Sequence, residues 1–225
     1  MTLAGSGFTQ RSFDLLAGLT EHNDRDWFHA HKDQFEESLL EPFEQLLEEG
    51  SDRLTSSPYP VRGSRQTMFR LARDVRFSAD KSPYNCQVSG LLTRSGTKGE
   101  SAGLVYVQIG PSGGMLAGGL YQPGAARLAP LRQDIIETPG AFERVIGQLR
   151  DAGRDLDRSD AVKTMPRGFA EHADDPWADV IRLKQLVVVE ELPRSAWLDD
   201  TVADRLVAFA TDIAPLLQYV RAAAG

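Results

Sequence analysis

The order in which hydrophobic periodicities follow one another restricts the fold of this chain more than any single motif. Apolar residues recur with helical spacing up to about residue 50, at every second position between about residues 67 and 121, and with helical spacing again afterwards. Helices, then consecutive strands, then helices are typical of α+β proteins, whereas a parallel sheet needs alternating strands and helices. We therefore predict one α+β domain over residues 1–225, with a mainly antiparallel sheet packed by N-terminal and C-terminal helices.

The periodicity also places the individual elements. A second helix is predicted to begin near Arg25, with Asp24 as its N-cap, to kink or restart at Pro42 and to end at Gly50. A strand is predicted from Thr67, with one apolar face made by Phe69, Leu71, Val75 and Phe77. The other predicted helices cover 11–22, 125–137, 139–152 and 199–222. The other predicted strands cover 87–93, 104–109, 115–121 and 186–189, with turns at 111–114 and 166–169.

Composition narrows the class of protein. The chain is 41% hydrophobic and 25% charged, as ordinary globular proteins are. It contains neither an apolar run as long as a membrane span nor a basic leader followed by an apolar stretch, so we expect a soluble cytoplasmic protein. Cys86 is the only cysteine, which excludes an intrachain disulfide. His29 and His31 would point about 200° apart on a helix, so we predict no metal site, and no motif indicates a cofactor.

Charge is distributed unevenly along the sequence. The net charge is −7 overall, but it is −8 over residues 1–61, +6 over residues 62–98 and −5 over residues 99–225. Nucleic-acid-binding proteins usually carry a whole basic domain or stripe. A short basic segment inside an acidic chain therefore favours a small anionic ligand and makes nucleic acid an unlikely partner.

The basic charge is concentrated between Arg70 and Tyr84. On the strand register Arg73 shares the apolar face, so either the strand breaks near Ala72, or Arg73 meets a buried carboxylate or a bound anion. Arginine is the side chain best suited to fork onto a carboxylate or phosphate. We predict a pocket for such an anion, with Arg132 reaching over the sheet from the edge of a helical stripe. The predicted ligand-binding residues are Arg70, Arg73, Arg76, Lys81, Tyr84, Tyr121 and Arg132.

Two carboxylates in this segment have alternative interpretations. Asp74 and Asp80 either pair with the arginines and hold a loop in place, or they orient the cations for a ligand and act as a base if the protein is an enzyme. The competing function is a non-catalytic interaction module that docks an acidic partner or another subunit. A concave site would favour a ligand, and a flat exposed ridge would favour a partner. The sequence indicates neither a reaction nor an oligomeric state.

Several motifs resemble those of the domain-of-unknown-function 2461 family of bacterial and fungal conserved hypothetical proteins. They are Asn23-Asp24-Arg25-Asp26-Trp27-Phe28, the long block from Arg73 to Tyr84, Gly118-Gly119-Leu120-Tyr121-Gln122-Pro123, Arg132 and Pro166-Arg167-Gly168-Phe169. The resemblance runs over most of the chain and implies that the block from Arg73 to Tyr84 belongs to the family signature, but it implies no activity. Asn85 stands where the resemblance leads us to expect lysine, and His22 where asparagine is usual.

Overall fold

A computed structural model describes residues 7–224, and its centre is a four-stranded sheet. The strands lie in chain order and every neighbouring pair is antiparallel, which confirms the predicted α+β class. They are β1 Val88–Leu92, β2 Leu104–Gly110, β3 Gly113–Leu120 and β4 Leu186–Pro193. The helices are α1 Gln10–Glu21, α2 Arg25–Phe35, α3 Glu41–Leu54, α4 Ala125–Glu137, α5 Pro139–Asp151, α6 Ala178–Ile181, α7 Arg194–Leu198, α8 Val202–Asp212 and α9 Ala214–Ala224.

The two faces of the sheet have different surroundings. Val105, Val107 and Ile109 alternate along β2 and are fully buried, on the face that α3, α8 and α9 contact. The residues between them, such as Tyr106 and Gln108, are only partly buried. This alternation is the period of two that an antiparallel strand with one face toward the core requires. The second face of the sheet is therefore open to form part of a site.

The predicted long N-terminal helix is interrupted just before Pro42, as expected. Its turns widen to π-helical geometry over Glu36–Leu40, where the Glu41 N–H bonds to the Glu36 carbonyl, and α3 continues directly from this bulge with Pro42, which has no N–H to donate. The predicted end at Gly50 is wrong, because α3 continues to Leu54. Gly50 instead permits close packing, since a Cβ there would lie 2.9 Å from the Leu206 side chain.

The strand predicted from Thr67 is the main error. Between Thr67 and Phe77 the chain makes only isolated bridges, from Met68 to Gly90 and from Ala72 to Tyr84. After the second bridge the chain loops out and returns, and the side chain of Phe77 is 97% exposed. The alternating pattern therefore belongs to an irregular segment, and the sheet obtains its fourth strand from β4, outside the predicted 67–121 region.

The C-terminal helix predicted over 199–222 is two helices. α8 ends at Asp212 and α9 begins at Ala214, with Pro215 in the first turn of α9, where proline is tolerated. The short helix α7 was not predicted. Across residues 7–224, no helix combines the length and the apolar character needed to cross a membrane.

Candidate functional site

Tyr84 is the point at which the first two sequence motifs meet. The Asn23 side chain accepts a hydrogen bond from the Tyr84 amide at 3.0 Å and donates to the Tyr84 carbonyl at 2.9 Å. The ring of Phe28 stacks on the Tyr84 ring with centroids 4.2 Å apart. Because its backbone and its ring are both held, Tyr84 forms a fixed wall beside the basic segment. Tyr84 was predicted from the sequence to belong to a site, but its contacts with Asn23 and Phe28 were not predicted.

The cations of the following loop are bound within the loop itself. Arg73 donates to Asp80 at 2.5 Å and to the Ser82 carbonyl at 3.2 Å, and Arg76 pairs with Asp74 at 2.6 Å. The Lys81 ammonium donates to the carbonyl of Val75 at 3.0 Å. The first alternative for Arg73 therefore occurs, since the strand breaks near Ala72, whereas the carboxylate that its guanidinium meets, Asp80, is exposed and not buried. Arg73, Arg76 and Lys81 do not line the clefts described below.

The acid behaviour of this loop gives a testable prediction. Hydrogen bonds from Ser82, and then from Arg73, hold the pKa of Asp80 well below its ordinary value of 3.8. Because the pKa of Asp80 is lower in the folded state, its ionised carboxylate stabilises the loop above pH 3.8. This stabilisation is lost as the pH falls below that value and the carboxylate is protonated. We therefore expect the backbone amide resonance of Ser82 to titrate with a midpoint below 3.8 in NMR spectra, and this titration to vanish in Asp80→Asn. A midpoint at or above 3.8 would contradict the observed pairing.

A cleft of about 730 Å³ lies beside Tyr84, and we call it the basic cleft. Arg65, Arg70 and Lys98 contribute positive charge to its wall, and no carboxylate is among its lining residues. Arg65 is neutralised by Glu36 and Glu44, and the Lys98 ammonium donates to the Met68 carbonyl at 2.8 Å. The other lining residues are Phe28, Leu40, Met68, Phe69, Leu71, Ala72 and Tyr84.

Arg70 is the cation of the basic cleft with the greatest freedom to bind. Its exposed side chain makes no hydrogen bond or ion pair with any residue in the described range 7–224, and its one electrostatic neighbour is Asp74, whose pKa it helps to lower. Of the predicted site residues, the cleft therefore brings together Arg70 and Tyr84. It adds Lys98, Arg65 and Phe69, which the sequence analysis did not identify as ligand-binding.

A second cleft, of about 660 Å³, covers the open face of the sheet, and we call it the sheet cleft. It contains Tyr121, which is 62% exposed and lies apart from the basic cleft. Phe69 and Lys98 line both clefts and form the partition between them. The strand side chains on its floor include Leu91, Leu104, Tyr106, Gln108, Met115, Ala117, Val187 and Val189.

Arg132 occupies a third and separate place. Its guanidinium is buried, donates to the carbonyls of Ile181 at 2.8 Å and Leu183 at 2.9 Å, and lies 5.9 Å from the ring centroid of Phe169. Burial lowers the pKa of Arg132, but an arginine remains charged at neutral pH. Arg132 lines a cavity of about 470 Å³ with Gln122 and Pro166, so the later sequence motifs gather there. The predicted ligand set therefore falls into separate locations.

A metal site requires several donor side chains grouped around one ion. Within residues 7–224, no three or more His, Cys, Asp or Glu side chains are grouped so that they could hold an ion. His31 is engaged with its own helix, because its ring stacks on Trp27 at 4.1 Å and its Nδ1 lies 2.8 Å from the Trp27 carbonyl.

Comparison with protein families gives one match of long extent. Residues 11–219 match the model of a family described as conserved hypothetical protein (DUF2461). Among curated proteins, none matches the chain.

Proposed function

Since the chain belongs to the DUF2461 family of conserved hypothetical proteins, whose description assigns no activity, we propose from its geometry that it binds a small organic anion in the basic cleft. One observation carries the proposal. Three cations line a cleft of about 730 Å³ that has no carboxylate in its wall. Because Arg65 is already paired with Glu36 and Glu44, an anion placed there meets the positive charge of Arg70 and Lys98 without displacing an acidic residue from the wall.

Arg70 is the residue that would contact the anion most directly. Arg65 already has two carboxylate partners, and Lys98 is held by a carbonyl. The Arg70 guanidinium is not held by a hydrogen bond, so it can fork onto two oxygens of a carboxylate or phosphate, which gives the bond direction as well as strength. Lys98, next to Met68 and Phe69, would add a second, less directional charge.

The rest of the cleft indicates the shape of the ligand. Tyr84 and Phe28 form a stacked aromatic pair, and Phe69 is 42% exposed beside them. Met68 and Leu71 complete an apolar surface. Ligand sites of this volume commonly combine apolar walls with a few polar groups that fix orientation. The proposed ligand is accordingly a carboxylate or phosphate attached to a flat apolar body.

Asp74 and Asp80 have an indirect part in this proposal. Each accepts hydrogen bonds from an arginine of the same loop, and neither lines the cleft. They would keep the loop in place, and the backbone bond from the Arg73 amide to the Pro83 carbonyl at 2.8 Å would hold its base next to Tyr84. The proposal assigns no reaction to the cleft.

Titration with phenyl phosphate and benzoate tests the proposal. We expect Arg70→Gln to weaken binding of both compounds by about tenfold or more, because a charge-assisted hydrogen bond is lost. Arg76→Gln is the matched control, since it removes the same charge from a guanidinium that already pairs with Asp74. Calorimetry at fixed ionic strength provides the dissociation constants. Equal weakening by both substitutions would indicate a general charge effect and would contradict the proposal.

The interaction-module alternative rests on one observation of its own. Phe77 is 97% exposed at the tip of the loop, next to the exposed Arg76. Exposed aromatic and arginine side chains are common anchors of protein interfaces. If this function is correct, Phe77→Ser removes binding to an acidic protein partner and leaves benzoate binding unchanged. If the basic cleft is the site, Phe77→Ser affects neither benzoate nor phenyl phosphate.

A further inference from the structure

We infer that the sheet cleft is a second ligand site, which takes a flat organic molecule carrying N–H donor groups. Its floor is the open face of the sheet, and its volume of about 660 Å³ is sufficient for such a molecule. The site differs from the basic cleft in its charge and in its hydrogen-bonding groups. It therefore selects a different chemical class from the anion of the proposed function.

Gln185 is the first observation. Its side chain lines the sheet cleft, the residue is 7% exposed, and its Oε1 has no hydrogen-bond partner within the described chain. The amide Nε2 lies 3.4 Å from Oδ2 of Asp157, which can only accept, so the amide is oriented with its oxygen as the unused group. A buried acceptor without a donor is unfavourable, and a ligand N–H would satisfy it after a small rotation of the amide.

Asp157 is the second observation. This carboxylate also lines the cleft and accepts hydrogen bonds from the Ser159 amide and hydroxyl, both at 2.9 Å. It has no Lys, Arg or His partner within ion-pair distance among residues 7–224. Its position is fixed, because its own amide donates to the Val187 carbonyl of β4 at 2.8 Å. Asp157 and Gln185 are thus neighbours that both line the cleft, and Oε1 of Gln185, which is buried in this structure, reaches the cleft when the amide rotates.

The other charged residues of the sheet cleft already have partners, so none of them neutralises Asp157. Glu100 pairs with Arg221 at 2.8 Å, and the Lys98 ammonium is engaged by the Met68 carbonyl at the partition. Leu104, Met115 and Val189 supply apolar contacts along the floor. A flat body would lie on these side chains, with its donors toward Asp157 and Gln185. Near Asp157, a neutral or cationic donor group is favoured over an anion.

Benzamidine, benzamide and benzoate test the inference, because they share one shape and differ in charge. The chain offers a separate reporter for each cleft: Met115 lines the sheet cleft and Met68 lines the basic cleft. With ¹³C-methyl methionine labelling, we expect benzamidine and benzamide to shift the Met115 methyl resonance, with benzamidine binding more tightly. We expect benzoate to shift the Met68 resonance instead. The two proposals therefore fail independently.

Substitutions in the sheet cleft test which residues contact these compounds. Asp157→Asn should weaken benzamidine binding at Met115 by about tenfold, as expected for loss of a charge-assisted hydrogen bond. Glu143→Gln is the control, because it removes one negative charge from an exposed residue of α5 that does not line the cleft, whereas an acidic residue of β4 such as Glu191 lies opposite the reporter Met115. Ala117→Leu fills the floor of the cleft and should abolish the Met115 shifts. The inference is overturned if Met115 responds to none of the three compounds, responds most to benzoate, or responds equally in Asp157→Asn and the parent.

Discussion

Replacing Arg132 by methionine is expected to lower the free energy of unfolding by about 3 kcal/mol or more. The substitution removes the donors to the carbonyls of Ile181 and Leu183, and hydrogen bonds to a charged donor contribute about 1.5–3 kcal/mol each. It also removes the guanidinium from the face of Phe169. Urea denaturation measures the change, with the slope checked to confirm that the unfolded state is unaltered.

Arg127→Met is the control for this experiment. Arg127 lies on the same helix, α4, but is exposed and, among residues 7–224, bonds only to the Ser101 hydroxyl. Its replacement should change the free energy of unfolding by no more than about 0.5 kcal/mol. If Arg132→Met is as stable as Arg127→Met, Arg132 does not have the structural role assigned to it. That result would favour the prediction that Arg132 binds a ligand.

Replacing Gly119 by alanine is expected to destabilise the protein by about 3–5 kcal/mol. A Cβ at this position would lie 2.1 Å from the carbonyl oxygen of Leu186 and 3.0 Å from the Cα of Val187. Both atoms belong to the backbone of β4, which pairs with β3 at this point and cannot move alone. The φ of 132° is one that side chains rarely adopt, so alanine there adds backbone strain of about 1–3 kcal/mol to the overlap.

Gly153→Ala distinguishes the cost of backbone strain from the cost of steric overlap. Gly153 has a φ of 73°, but a Cβ there would meet nothing within 4 Å. Only the backbone strain remains, so the cost should be about 1–2 kcal/mol. Thermal melts of the two variants give the comparison, and equal destabilisation would show that the approach of β3 to β4 is looser than the structure has it.

The parts of the fold that could be predicted are those with a regular period. β2 alternates partly exposed and buried residues from Leu104 to Ile109, and the bounds of α4 agree with the prediction because Gly124 and Thr138 limit it. The Thr67–Phe77 region also alternates, but its backbone makes only isolated bridges and leaves the sheet after Ala72, and Arg73 pairs with Asp80 inside the resulting loop. Alternation alone does not distinguish a strand from such a loop.

The candidate site could be predicted only in part, for a related reason. The concentration of positive charge between Arg70 and Tyr84 indicated a site that includes these two residues, and both do line one cleft. Counting charges did not show which cations are already paired, so Arg73 and Arg76 were included. Lys98 approaches Met68 and Phe69 from 30 residues along the chain, and no local pattern indicates such a contact. Tertiary proximity determines which residues share a cleft.

The most direct test of anion binding in the basic cleft is diffraction from crystals soaked in 4-iodobenzoate. The anomalous signal of iodine locates the compound without assumptions about its orientation. We predict an iodine site between the rings of Phe69 and Tyr84, with the carboxylate on Arg70, and its absence from Arg70→Gln crystals grown in the same way. An iodine site on the loop cations Arg73, Arg76 and Lys81, or none in either crystal, would contradict the account.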